Sequence, residues 1–423
     1  MTLYRNVASL VLAIMLLQGA SGILNVTTPL ALDFMGASSL GVGLVWSMFY
    51  AGYMLGAWFS PDAVRSVGHI RAYSAAAAIY CAGILSMALV FQPVGWAVLR
   101  LAQGAASAVM FTAAESWIAD STPREKRGGV MGMYQVLIKL ALSGGPLLVA
   151  DHAPGDLKPY IWAGILMTLS AAPLCATRRA QPVLPDKTGF SVGKLFAIPP
   201  TALAAAAVAG LANSGVTSQL PLYAKALHPE GAQLAATVIT IAVWTGGTVT
   251  QWPAGLVSDR FDRRLVVAAL GAVASGASIA LYLGSRHFSW PLVIALGAVW
   301  GGGALSFYSV AAAHATDRCE PGQIAQVLSG MLFVWAAGSV IGPVLTGLAA
   351  DSSLGQPGIF LVVSGAYFAL TAINLWRAIV TDRPGRAQRT PYLPVAGLSV
   401  VEGAIAEQEP QVTEDAGMPA QPV

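Results

Sequence analysis

The chain has 423 residues, of which 56% are apolar and 10% charged, with 45 Gly and 25 Pro; ordinary soluble domains carry roughly 25% charged residues. The mean hydropathy of +0.65 argues against a soluble multidomain protein. The net charge of +3 gives no basis for nucleic-acid binding, because the basic residues sit between apolar blocks. Cys81, Cys175 and Cys319 have neither metal-ligand nor redox spacing, and no metal or cofactor is expected. Cys81 and Cys175 fall in apolar stretches and are expected to be packing residues.

Twelve apolar blocks are long enough to cross a bilayer, which takes about 20 helical residues. The first six are Val7–Leu32, Leu40–Ser60, Ala72–Phe91, Trp96–Ala119, Gly128–Ala150 and Tyr160–Ala176. The others are Pro200–Ala224, Leu234–Val257, Leu265–Leu283, Pro291–Ala313, Ile324–Ala349 and Ile359–Trp376. The first block resembles a secretory signal in having Arg5, an apolar run and small residues at Gly19 to Gly22. It continues to Leu32, too long for a signal, so it is expected to remain as a helix. The expected fold is an all-α membrane protein with twelve spans.

Orientation follows from Lys and Arg. With the N-terminus inside, 18 of the 23 fall in cytoplasmic segments and three (Lys158, Lys225, Arg286) outside. Both termini are therefore expected in the cytoplasm. The basic, Pro-containing stretch 178–199 divides the spans six and six. This gives an N-terminal half at 1–177, a linker at 178–199, a C-terminal half at 200–380 and a tail at 381–423. The end of that tail is too polar to bury a core and reads as disordered. A shift of 197 residues lays Asp62 on Asp259, Asp120 on Asp317 and Gly145-Pro146 on Gly342-Pro343. A parallel repeat of this kind places a site between the halves near the midplane. Polar residues agree, since the first span carries Gln18 and Asn25, the seventh Asn213 and Gln219, and the eighth Trp244 and Gln251. The third, sixth, ninth and twelfth spans are the polar-poor scaffold. The remaining tryptophans fit interfacial anchors or packing better than ligand stacking.

By this segmentation only Arg100, Glu115 and Lys139 are charged inside spans. A charge in hydrocarbon costs at least ~2.5–3.5 kcal/mol, so such residues face a cavity or a partner. At 1.5 Å per residue Arg100 and Glu115 stand about 22 Å apart along one helix, and Lys139 some ~10 Å from Glu115 in depth. Neither cation is expected to pair with that acid. Each also has a plainer reading: Glu115 with a loop arginine, Arg100 snorkelling outward, both cations on backbone carbonyls.

Gly255-Leu-Val-Ser-Asp259-Arg260-Phe-Asp262-Arg263-Arg264 closely resembles the loop motif of the major facilitator superfamily, with Asp262 where glycine is usual. Its first-half counterpart, beginning at Asp62, has altered spacing. Arg100-Leu-Ala-Gln103-Gly104 resembles the superfamily's fourth-helix motif. Gly338-Ser-Val-Ile-Gly342-Pro343 resembles its antiporter motif, though on the eleventh span; the fifth keeps only Gly145-Pro146. Gly68-His69-Ile70-Arg71 and Glu115-Ser116-Trp117 are similar to the bacterial YcaD-type branch. The resemblance covers about residues 5–380. It implies twelve helices, alternating access and transport of a small solute in the bacterial inner membrane, by a monomer. It makes Asp62, Asp259, Arg260, Arg263, Arg264 and the two Gly-Pro pairs gate residues, although the pairs also fit plain kinks and close packing. The substrate or coupling candidates are Arg100, Gln103, Glu115, Lys139, Asn25, Asn213 and Gln219. Protons are the expected coupling partner through Glu115, and an anionic or carboxylate-bearing solute the expected cargo. A transporter-derived sensor and a drug/proton antiporter are the alternatives. No nucleotide-binding Gly-rich loop and no hydrolase motif is present, so neither ATP-driven transport nor an enzyme is expected.

Overall fold

A computed structural model describes residues 2–123, 126–177, 198–285, 287–317 and 323–380. The linker and the tail after 380 lie almost wholly outside these residues. The regular structure of the described residues is all helical, with no strand among them. Hydrocarbon offers no partner for backbone N–H and C=O groups, so long apolar runs satisfy them internally as helices. In chain order these are α1 (Thr2–Phe34), α2 (Ser39–Val67), α3 (His69–Leu89), α4 (Pro93–Asp120), α5 (Arg127–Gly144) and α6 (Lys158–Cys175). Then come α7 (Pro200–Val208), α8 (Ser214–Leu227), α9 (Ala232–Arg260), α10 (Arg263–Gly284), α11 (Trp290–Ala304), α12 (Phe307–Thr316), α13 (Ile324–Asp351) and α14 (Gly358–Val380).

Among the described residues, ten stretches are long and apolar enough to cross a membrane. The expected sixth and seventh do not qualify, for different reasons. Helix α6 has 18 residues and opens on Lys158-Pro159, which dilutes its apolar run. The seventh carries Asn213, Ser214, Thr217, Ser218 and Gln219 within its apolar run, and a π-helical turn at Ala209–Asn213 lies between α7 and α8. The tenth is also two helices, α11 and α12, parted at Leu305 and Ser306 just after Gly301-Gly302-Gly303. Three successive glycines weaken the helix there. Helix α5 ends in a 3₁₀ turn at Gly145–Val149, because Pro146 has no N–H to continue the α ladder.

Helices α1 to α6 pack mainly on one another through α2–α4, α1–α6, α3–α4, α3–α6 and α1–α5. The later helices do so through α10–α14, α9–α11, α10–α11 and the crossing of α13 with the π turn. Between the two sets run α2–α13, α1–α8 and α5–α9. The bundle's outer surface is apolar, with Leu89, Trp58, Phe368 and Trp252 each more than two-thirds exposed, as lipid contact requires. Cys81 is half-buried beside Thr168, whereas Cys175 is exposed, so it is not the packing residue expected. It is the last residue of α6 and faces outward beside the buried Leu174.

Candidate functional site

A cavity of about 200 Å³ lies between the two sets of helices. Of the seven expected substrate or coupling residues, Arg100, Lys139, Asn25 and Asn213 line it. Arg100 is 2% exposed, and its guanidinium lies 4.9 Å from the Trp46 ring centre and 4.5 Å from that of Phe49. Its Nη1 donates to Gln103 Oε1 at 3.3 Å, and its buried Nε has no partner. Lys139 donates to Gln251 Oε1, a bond from α5 to α9. Asn213, on the π turn, donates to the Ala304 carbonyl at 3.0 Å and accepts from Tyr367 Oη at 2.9 Å. The π turn therefore aims Asn213 at the end of α11. The described lining holds two cations and no carboxylate.

Gln103, Glu115 and Gln219 are fully buried and are not among the lining residues. Gln103 supports Arg100 from behind and donates to Met87 Sδ at 3.4 Å. Glu115 accepts a hydrogen bond from Tyr134 Oη at 3.0 Å, joining α4 to α5. Gln219 donates to the Ser39 carbonyl at 2.9 Å. Apart from Trp244, the aromatic wall escaped sequence reasoning. Trp46, Phe49, Tyr50, Tyr53, Trp244 and Trp335 face the cavity, while Trp58, Trp252 and Trp376 face outward. Tyr80 brings α3, expected to be scaffold only, into the lining.

Gln219 belongs to a latch that joins the two sets at one end of the bundle. Asp351, ending α13, accepts from the backbone N–H groups of Ser39 and Leu40 at 2.9 and 2.8 Å. These are donors of the first turn of α2, which its helix leaves free and which favour an anion. Gln356 donates to Ser39 Oγ at 2.8 Å and Gln233 to Thr27 Oγ1 at 3.2 Å. Lys225 pairs with Asp33. Small residues allow the approach: a side chain on Gly43 would strike the Pro343 carbonyl, and one on Gly347 the Ser39 carbonyl. Gly342 in turn packs on the Leu211 carbonyl in the π turn. Gly145 packs on the Gly19 carbonyl and Pro146 is buried against α1 near Gly22. Both Gly-Pro pairs thus sit at close helix crossings.

At the opposite end, Asp262 caps α10, its carboxylate accepting from Arg264 N at 3.0 Å and from the Arg264 guanidinium at 3.1 and 2.8 Å. Arg264 also donates to the Arg377 carbonyl of α14 at 2.8 Å. Burial alone would raise the Asp262 carboxyl, but these bonds, with His314 nearby, hold it below the ordinary carboxylate value. The aspartate that replaces the usual glycine is therefore an N-cap. Arg263 is buried between Asp259 at 3.3 Å and Asp317 at 3.2 Å. Asp62 pairs with Arg65 at 3.7 Å, and Arg260 is exposed. Asp317→Ala removes a buried partner of a buried guanidinium and is expected to cost on the order of 3 kcal/mol. The check is a lower unfolding temperature of the purified protein, with Asp62→Ala, on a more exposed pair, close to wild type.

The two short strings Gly68-His69-Ile70-Arg71 and Glu115-Ser116-Trp117 meet in space. Gly68 has φ +86°, a left-handed conformation that suits glycine, and it turns the chain from α2 into α3. That turn puts the buried His69 within 3.0 Å of Ser116 Oγ and edge-on to Trp117.

The sequence profile of the Major Facilitator Superfamily matches residues 10–248 and again 202–406. The chain belongs to the major facilitator superfamily. It is 25% identical over 386 residues to the "Uncharacterized MFS-type transporter YcaD" of Escherichia coli SMS-3-5 and of Shigella dysenteriae serotype 1, covering 90% of this chain and 98% of those proteins. Among solved structures, a point mutant of the nucleoside transporter NupG superposes with a TM-score of 0.72 at 11% identity, over 89% of this chain and 100% of that one. A bacterial homologue of the human lysosomal transporter Spinster, in an inward-facing and occupied conformation, gives 0.68 at 15%, over 95% and 96%. The protein is thus a multi-pass membrane protein of a transporter superfamily.

Proposed function

We propose that this superfamily member is a secondary transporter that moves a small anionic solute by alternating access, coupled to protons. The observation that carries this reading is the cavity between the two helix sets, which holds Arg100 and Lys139 and no described carboxylate. The two sets are the halves of a pseudo-symmetric pair, and the linker joins them in the cytoplasm, where the basic loops put it. The Asp351 and Lys225 latch then closes the outer end, and the Asp259 cluster belongs to the inner gate. A carboxylate cargo meets Arg100 and Lys139 favourably, whereas a hydrophobic cation meets repulsion. Glu115 takes the coupling role from outside the cavity wall, with Tyr134 as its hydrogen-bond partner.

The test is flux of labelled small solutes into proteoliposomes with and without a pH gradient. Wild type is expected to accumulate an organic anion against its gradient. Glu115→Gln is expected to keep exchange of that solute and lose gradient-driven accumulation. Full accumulation by the variant places coupling elsewhere, and accumulation of cations alone favours the drug/proton antiporter.

A further inference from the structure

Arg100 is the most confined charge in the cavity, and its surroundings describe a ligand more narrowly than charge alone. Its guanidinium is held by the faces of Trp46 and Phe49, which fix its plane by cation–π contact. Gln103 and Tyr80 supply neutral partners, and no described carboxylate does so. A guanidinium in the cavity wall whose protein acceptor is neutral suits the two oxygens of a carboxylate. Beside it, Trp335 from α13 stands edge-on to Tyr50 at 5.9 Å and to Tyr53 at 6.5 Å, so rings from both helix sets form one apolar wall. Lys139, the other cation, is already engaged by Gln251. The cavity measures about 200 Å³; an apolar cavity of about 150 Å³ accepts a benzene. One ring with a short acidic arm therefore fits.

We infer that the cavity binds an aryl carboxylate, its carboxylate on the guanidinium of Arg100 and its ring against Tyr50, Tyr53 and Trp335. This rests on the transport reading for its purpose but not for its test. The guanidinium, pinned by two rings, selects the planar anion, and the ring wall selects the body that carries it. A small anion such as phosphate or acetate satisfies the first condition and leaves the wall unfilled.

The experiment is equilibrium binding to purified full-length protein in detergent, read by intrinsic tryptophan fluorescence and by thermal unfolding. The probes are benzoate, phenylacetate, cyclohexanecarboxylate, acetate, inorganic phosphate, benzamide and benzylamine. Benzoate or phenylacetate is expected to bind saturably and to outcompete cyclohexanecarboxylate, benzamide and benzylamine. Arg100→Gln is expected to weaken the aryl carboxylate by about tenfold or more, the loss of a charge-assisted hydrogen bond, while leaving benzamide unchanged. Trp335→Leu is expected to keep carboxylate binding and erase the preference for benzoate over cyclohexanecarboxylate, which guards against a misfolded arginine variant. Equal affinity for benzoate and benzamide, unaltered benzoate affinity in Arg100→Gln, or preference for phosphate or benzylamine overturns the inference. Proteoliposome flux separates it from the reading above. Movement of a solute without a carboxylate sinks the inference and keeps transport, whereas tight aryl carboxylate binding without any flux does the reverse.

Discussion

Gly43→Val is expected to abolish transport while the protein still inserts and folds. Gly43 faces Pro343 across the crossing of α2 and α13, and a side chain there would strike the Pro343 carbonyl. Ser47, one turn on, donates to the Val340 carbonyl at 2.6 Å, so the two backbones approach closely along this seam. The crossing joins the two sets of helices, and neither set relies on it for its own packing. Valine therefore wedges the latched end apart and leaves each set intact. Overpacking costs typically 1–3 kcal/mol, enough to displace an equilibrium between open and closed ends by an order of magnitude or more. The measurements are flux in proteoliposomes, expected near zero, and labelling of a cysteine at Thr27 or Ser39 from the latched side, expected to rise. Wild-type flux in a well-folded Gly43→Val protein would show that this end does not need to close.

Gly104→Val should fail earlier, at folding. Gly104 meets the Phe49 carbonyl and the Tyr53 N–H, and Gly52 and Gly56 meet Leu101 and Ala105 along the same pair of helices. This α2–α4 contact is internal to one set, and small residues set its spacing. A valine there forces backbone from backbone and has no flexible side chain to displace. The expected outcome is little monodisperse protein on size-exclusion chromatography and a markedly lower unfolding temperature. In the string Arg100-Leu-Ala-Gln103-Gly104, the arginine serves chemistry and the glycine serves packing. A stable, monodisperse Gly104→Val protein would refute that division.

The contrast shows what one sequence can carry. Apolar runs marked nearly every helix, because hydrocarbon tolerates little else. They did not mark the π turn at Ala209–Asn213, since one extra residue per turn changes the direction of side chains and leaves the composition alone. The break after Gly303 was equally silent in an apolar count. At the site, Arg100 and Lys139 were legible because charge inside a span is expensive. Trp46 and Trp335 were not, because a membrane tryptophan is equally at home in lipid, interface or cavity, as Trp252 and Trp376 illustrate. The latch was hidden for another reason. Asp351 and Ser39 are 312 positions apart and Lys225 and Asp33 192, and each residue taken alone is an ordinary loop-end polar group.

The charge imbalance of the cavity has an electrical consequence for the transport reading. Arg100 and Lys139 line the cavity; in an alternating-access carrier they would sit in a chamber that opens to one compartment and then to the other. A membrane voltage falls across whichever end is shut, so these charges cross the field without moving through the protein. Each full crossing is worth about 2.3 kcal/mol per 100 mV. An interior-negative membrane would thus hold the empty carrier with its chamber toward the cytoplasm, and a bound monocarboxylate, by cancelling one of the two charges, would halve that hold. Voltage then governs the return of the unloaded protein more than the passage of its cargo.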